Sequence, residues 1–359
     1  MNYQAAIAHF PKLTYQRAKR LRDFFNSWQD AWEAEVPELA RAGFEEGIAA
    51  EFISWREKFS VEKMQTELER EGIAIVALGE SAYPRLLAEI ADPPFALFVR
   101  GKLPPNEVPT VAVVGTRKCT VYGRQVTEQI VNELATQKVV VISGLALGVD
   151  GFAHAATIAA GGATVAVLGG GINQTAISPS SHRQLAEEII AHDGAIISEY
   201  PPGFIPTQYS FPARNRIIAG LSLGALITEA PLQSGALITA KCALDYNREV
   251  FAVPHPIFSP TGEGGNKLIK LGATPITKAQ DILDALQIQN IQQIIANNQV
   301  LPATPDEAKI LPHLSKEPRH VDALIKLSGL ESAIFNSTLV LLEMKGKVRN
   351  LGSMMYIIR

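Results

Sequence analysis

From residue 111 onward, short apolar runs alternate with stretches of helical period. The runs are Val111–Val114, Val139–Ser143, Thr164–Leu168, Ala195–Ser198, Ala225–Thr228 and Glu249–Val253. Between them lie Arg124–Gln137, Asp150–Ala160, His182–His192, Asn215–Leu221 and Gly235–Tyr246, each mixing apolar and polar positions at helical spacing. Continuous apolar strands separated by amphipathic helices indicate parallel strands covered on both faces. No proline falls between Pro109 and Pro179, as central strands and crossover helices require. The pattern predicts an α/β fold with a doubly wound, mostly parallel sheet.

The flanks differ. Ile7, Phe10, Leu13, Ala18, Leu21, Phe24 and Phe25 recur near helical spacing, and Trp28, Trp32, Phe44, Ile48, Phe52 and Trp55 continue the series. This predicts an all-α domain over 1–62, then a helix Glu62–Glu71 feeding a strand Ile73–Leu78. Gln287–Thr304 is rich in Gln and Asn without an apolar period and reads as a linker. Beyond it the spacing predicts a helix to Leu314, a second over Val321–Leu327 and a third over Ser332–Lys345. A strand pair, Lys347–Asn350 with Met354–Ile358, would turn at Gly352 and give a winged-helix module. The expected domains are 1–62, 63–288, a linker 289–304, and 305–359.

Charge sharpens this picture. The 359 residues carry 33 Lys+Arg and 36 Asp+Glu, a net charge of −3, which excludes a uniformly basic coat for nucleic acid. The distribution is uneven: no acid occurs from Val111 to Thr127, around Arg117, Lys118 and Arg124, or from Gly203 to Gly224, around Arg214 and Arg216. Such a layout allows a basic groove on an acidic body. Cys119 and Cys242 form neither a disulfide framework nor a metal-ligand spacing. The N-terminus lacks an apolar signal core, and no long uncharged apolar run occurs. A cytoplasmic protein without membrane association is expected.

The least ordinary residues follow the strands, where a doubly wound sheet binds its ligands. Gly115-Thr116-Arg117-Lys118 follows the first, Ser143-Gly144-Leu145-Ala146-Leu147-Gly148 the second, and Gly169-Gly170-Gly171 the third. A tight turn between strand and helix needs glycine whatever binds there, so no single turn identifies a ligand. Three on one edge, two with hydroxyls and one with adjacent cations, point to an anion site. Arg214-Asn215-Arg216 would add planar donors at the start of a helix, unless the arginines are solvated or paired to Glu199. Ser234 is expected to cap the next helix, Gly235 to allow close approach, and Lys241 to lie two turns in.

Neither a G-x-G-x-x-G fingerprint nor a P-loop is present, which disfavours NAD and P-loop nucleotides. His154, His182, His192 and His255 stand isolated and read as structural histidines. No catalytic set, cofactor site or metal site is expected.

Together these segments resemble the bacterial DNA-processing family called DprA or Smf. The matching stretches are Val111–Gly123, Ser143–His154, Thr164–Gly171, Gly194–Gly203, Phe211–Ser222 and Ser234–Ala240, with Tyr83–Gly101 leading in. The resemblance implies a Rossmann-like domain between a sterile-alpha-motif-like domain and a winged helix. It implies a non-enzymatic protein that binds and protects single-stranded DNA and helps load the RecA recombinase in natural transformation and homologous recombination. It further implies a homodimer formed through the Rossmann-like domain. By this analogy the DNA-binding residues are Gly115, Thr116, Arg117, Ser143, Gly144, Arg214, Asn215, Arg216, Ser234, Gly235 and Lys241.

Two departures stand out. Ile177-Ser178-Pro179 replaces the family's Tyr-Pro, which weakens any base-stacking role there, and His255 stands where a glycine is usual. The expected recognition helix, Ser332–Lys345, carries Asn336, Ser337 and Thr338 but few cations, and so favours protein contact over base reading. The fold also resembles nucleotide-processing phosphoribohydrolases. Their PGGxGTxxE signature has no glycine pair or glutamate in Gln233–Lys241, which favours the DNA-binding reading. A scaffold with a vestigial site is a third reading.

Overall fold

The computed structural model describes residues 3–288, 304–315, 318–345, 347–352 and 354–358. These fall into two compact units, one within Met1–Ile288 and one within Gln289–Arg359. All of the expected linker except Thr304 lies outside the described residues.

The first unit opens with α1 (Tyr3–Ala8), α2 (Tyr15–Phe24), α3 (Trp28–Glu33), α4 (Val36–Arg41), α5 (Glu46–Arg56) and α6 (Val61–Glu71). Ile7, Phe10, Leu21, Leu39, Phe44 and Phe52 form their shared core, with Trp32 packed edgewise against both Phe52 and Trp55. The helix α6 runs across the expected boundary at residue 62. Its Val61, Met64 and Leu68 join Ala5, Ala6 and Ala8 of α1 in a cluster with sheet residues. Periodicity shows that a helix has an apolar face, not which core receives it.

A nine-stranded sheet follows, in the order β1-β2-β6-β5-β4-β3-β7-β8-β9. Its strands are β1 (Ile73–Ala77), β2 (Ala96–Gly101), β3 (Thr110–Val114), β4 (Val140–Ser143), β5 (Thr164–Val167), β6 (Ala195–Ser198), β7 (Gly224–Ile227), β8 (Glu249–Ala252) and β9 (Thr274–Pro275). Every pairing from β6 to β9 is parallel, while β2 runs antiparallel to both β6 and β1. The helices are α7 (Arg85–Ala88), α8 (Val121–Thr136), α9 (Val149–Ala159), α10 (Arg183–Ala191), α11 (Ser210–Gly220), α12 (Ala236–Asp245), α13 (Glu263–Lys270) and α14 (Ala279–Ala285). Alternate strand residues serve opposite layers. Ala112, Val114 and Ile142 meet Ile217, Ile218, Ala236 and Ala240 of α11 and α12. Val111, Val113 and Val141 meet Ile130, Leu134, Val149 and Ala153 of α8 and α9.

From β3 the chain winds through β4, β5 and β6 on one side, then returns to β7 on the other. The switch point therefore lies between β3 and β7, where a doubly wound sheet leaves a crevice at its carboxyl edge.

Two helices begin earlier than expected. Thr120 caps α8, its side chain accepting from the Gly123 amide at 3.1 Å. The helix α11 starts at Ser210, with Pro212 in its first turn, where the missing N–H costs nothing. Arg214 and Arg216 consequently sit in the second turn of α11, away from its free amides.

The second unit comprises α15 (Pro305–Ile310), α16 (Val321–Ser328) and α17 (Ser332–Met344) with a small antiparallel sheet. The expected strand pair forms as Val348–Asn350 with Met355–Ile358, and Arg319–His320 adds a third strand beside the latter. Ile310, Leu324, Phe335, Leu339 and Leu342 build the core. The buried Glu307 carboxylate receives Lys345 Nζ at 2.6 Å and Lys347 Nζ at 3.2 Å. No single helix among the described residues is long and apolar enough to cross a membrane.

Candidate nucleic-acid interface

At the switch point is a cleft of about 710 Å3. Three walls meet there: the turn after β3 (Gly115, Thr116, Arg117), the start of α11 with its approach (Thr207, Gln208, Phe211, Arg214, Asn215), and the start of α12 with its approach (Gln233, Ser234, Gly235, Thr239). Ala146 contributes from the turn after β4 and Asp150 from the first turn of α9. Among the described lining residues Arg117 and Arg214 are the cations and Asp150 the acid.

Arg117 is exposed at the mouth, its guanidinium carbon 5.5 Å from the centroid of the Phe211 ring. A cation beside an aromatic face offers a phosphate contact and a stacking surface together. The turn carrying Arg117 is tied down at both ends by one residue. The Thr116 amide donates to the Glu229 carbonyl at 2.7 Å, and the Thr120 amide donates to Glu229 Oε2 at 2.8 Å. Burial works to raise the Glu229 carboxyl, but hydrogen bonds from Thr261, Thr120 and Cys119 outweigh it and hold the group below its ordinary range. Cys119 is correspondingly inert: burial and that carboxylate push its thiol up to about 12.

Arg214 plays a different part. It is 5% exposed, and its Nη1 donates to the Gly144 carbonyl at 2.6 Å and also to the Val167 carbonyl. Its Nε donates to Asn215 Oδ1 at 3.2 Å, and Asn215 Nδ2 donates in turn to the Gly235 carbonyl at 3.2 Å. Burial lowers the Arg214 pKa to about 10, opposed by Asp150. It is a charged post under the cleft floor rather than a surface ligand.

Asp150 accounts for the glycine-rich turns. Its carboxylate accepts the Gly144 amide at 3.1 Å, and the Gly115 and Ala146 amides bond to it as well. These are amides expected to cradle an external anion. An internal carboxylate already fills that nest, with Arg214 as its counter-charge. Burial nevertheless raises the Asp150 pKa, against the pull of Arg214 and those three amides.

The other expected site residues separate in space. The Ser143 hydroxyl is fully buried and donates to the Val113 carbonyl at 2.6 Å, so it fastens β4 to β3 rather than facing the cleft. Gly115 and Gly144 are packing glycines. A Cβ at 115 would lie 2.5 Å from Val149, and one at 144 would lie 2.5 Å from Arg214. Gly235 faces open space and is itself the cap residue of α12, one position after the expected Ser234, whose Oγ accepts from the Ala236 amide at 3.3 Å. Lys241 is exposed outside the cleft. The third glycine turn is covered: Gly171 donates to the Phe204 carbonyl at 2.9 Å, and Gly169 abuts Phe211.

Arg216 leaves the cleft entirely. Its guanidinium reaches Glu199 at 2.6 Å and Asp92 at 3.1 Å, on the wall of a separate cavity of about 330 Å3. Two residues along a helix turn the side chain by about 200°, so Arg214 and Arg216 cannot converge on one phosphate. That signal was available in the sequence. Sequence reasoning also passed over Asp150 as a floor residue and Phe211 as a stacking surface; an acid just inside a helix that follows a glycine turn was the sign of a filled nest. Among the described residues, no group of three or more His, Cys, Asp or Glu could hold a metal ion.

The family model DNA recombination-mediator protein A matches residues 74–287, and the DprA winged helix domain matches 296–353. The chain belongs to the DNA recombination-mediator protein A family. Among its relatives, Protein Smf of Escherichia coli (strain K12) is 38% identical over 314 residues, 86% of this chain and 83% of that protein. DNA processing protein DprA of Bacillus subtilis (strain 168) is 41% identical over 223 residues, 62% of this chain and 74% of that protein. The X-ray structure of DNA processing protein A from Streptococcus pneumoniae matches with a TM-score of 0.67 and 32% identity, over 79% of this chain and 97% of that one. A structure of the Helicobacter pylori protein, described for its single-stranded DNA binding mode, matches with a TM-score of 0.53 and 30% identity, over 61% and 98%. Membership agrees with the fold: a mostly parallel sheet with N-terminal helices and a C-terminal winged helix.

Proposed function

We propose that this member of the family binds single-stranded DNA along the switch-point cleft and, without being an enzyme, protects the strand and helps load the RecA recombinase in natural transformation and homologous recombination. The observation that carries the reading is Arg117 held over Phe211 at the mouth of the cleft. A phosphate on the guanidinium and a base on the ring form the pairing that sequence-tolerant strand binders use.

In this reading Thr116, Arg117, Phe211, Asn215, Ser234 and Gly235 touch the strand, while Gly115, Ser143, Gly144, Asp150 and Arg214 fix the walls. Lys241 and Arg216 lie off the path. The chain works as a homodimer through its Rossmann-like domain. The winged helix serves protein contact: α17 has no Lys or Arg and exposes Ile334, Val340, Leu341 and Met344.

Titration with oligothymidine tests the reading. R117A and F211A are each expected to weaken binding by about 5- to 100-fold, the range of a lost stack or charged contact. Wild-type affinity in both variants would reject the cleft as the site. Release of free base from nucleotides would instead favour the phosphoribohydrolase alternative.

A further inference from the structure

A second aromatic surface lies a short way along the chain from the cleft. Tyr122 lies in the first turn of α8, five residues beyond Arg117, so at most ~18 Å of chain separates them. Its hydroxyl donates to the Pro254 carbonyl at 3.3 Å, and its ring meets the His255 ring edgewise with centroids 5.2 Å apart. These contacts set α8 against the turn that follows β8.

That turn is firmly built. The His255 amide donates to Asn266 Oδ1 at 3.1 Å, Asn266 Nδ2 donates to the His255 carbonyl at 3.0 Å, and the Ser259 amide closes onto Pro256 at 2.9 Å. At its tip Phe258 is 91% exposed and Ile257 80%; beside them Val121 is 75% exposed and Tyr122 45%. A fastened turn that holds a phenyl ring in water is costly unless something covers it.

The surroundings select the occupant. Lys118 is exposed between Arg117 and Tyr122, and Arg124 follows, its guanidinium 4.8 Å from the Phe152 ring centroid. Neither 111–127 nor 253–262 contains an acid; the Glu229 carboxylate that bonds to Thr120 and Thr261 lies buried beneath them, and at the surface Glu128, paired with Arg124, and the exposed Glu263 are the nearest in sequence. Rings interleaved with cations, on the chain segment that leaves the cleft at Arg117, suit a polyanion that also carries stackable faces.

We propose that Tyr122 and Phe258 form a second stacking platform for single-stranded DNA, so that a strand leaving the cleft crosses Lys118 and the start of α8. This rests on the cleft reading and extends it. Full-length protein is titrated with oligothymidines of about 6 and about 20 nucleotides, within and beyond the site size of one binding fold. F258A, at a fully solvated side chain, is expected to weaken the long strand by about 5- to 100-fold and to leave the short one unchanged. F258L is expected to behave like F258A, because leucine keeps the apolar surface and loses the ring. K118A, tested with the long strand, is expected to flatten its salt dependence.

Unchanged long-strand affinity in F258A and K118A overturns the platform and assigns the patch to a protein. Equal loss for both strand lengths also overturns it, since the ring would then belong to the cleft. R117A separates the two levels: if it leaves the short strand unaffected, the cleft reading fails and the platform with it.

Discussion

Arg214 Nη1 donates to the Gly144 carbonyl at 2.6 Å, and a Cβ added to residue 144 would lie 2.5 Å from that same nitrogen. The glycine is therefore the space in which the guanidinium sits. A cation from α11 is thereby locked against the turn after β4, and both hold the cleft floor.

Replacing Gly144 with alanine is expected to drive the guanidinium out of this seat. Overpacking of this kind costs about 1–3 kcal/mol, and single-stranded DNA affinity should fall with it because the Asn215–Gly235 link moves too. Urea unfolding and a DNA titration on the same preparation check this. An unchanged midpoint with full binding would show that Arg214 has another place to go.

Glu229 makes the Arg117 turn dependent on pH. Its carboxyl is held below the ordinary range in the folded chain, so it contributes stability above about pH 4.5, its unfolded value. That contribution is lost as pH falls through the lower folded value. E229Q is expected to cost about 1–3 kcal/mol near neutrality and to lose less than wild type on acidification. Equal losses of stability in wild type and E229Q between neutral pH and about pH 4 would contradict the assignment.

Arg216 is expected to matter for stability and not for DNA. Removing it leaves the half-buried Glu199 without its counter-charge, a cost approaching that of a broken buried pair, about 3–5 kcal/mol. Calorimetry should show R216A strongly destabilised. At a temperature where it stays folded, its DNA affinity should match that of wild type. The reverse pattern, full stability with lost binding, would put Arg216 on the strand.

The sheet was legible because buried parallel strands are apolar throughout, too short for helices, and alternate with helix-length amphipathic stretches. Val111–Val114 and Ala195–Ser198 needed no tertiary information. The strand β2 was harder, since Ala96–Gly101 is one apolar run behind Pro93 and Pro94, with no helix to mark it as part of a winding unit. The cleft was half legible. Arg117, Thr116 and Gly235 line it as their turn positions suggested, but Ser143 and the amides around Gly144 are consumed by internal bonds. A glycine-rich turn looks the same in sequence whether its amides await an anion or already hold Asp150. Only the fold shows which carboxylate arrives.

The most direct test of the cleft as a DNA site is an equilibrium titration of the full chain with oligothymidine at two salt concentrations, with duplex of equal length as competitor. Binding should survive the duplex and weaken with salt, log affinity falling by about 0.7 per log unit of salt for each phosphate neutralised. R117A should reduce that slope by about one phosphate's share. Binding that is indifferent to salt, or that duplex abolishes at equal concentration, would contradict a single-strand groove at the switch point.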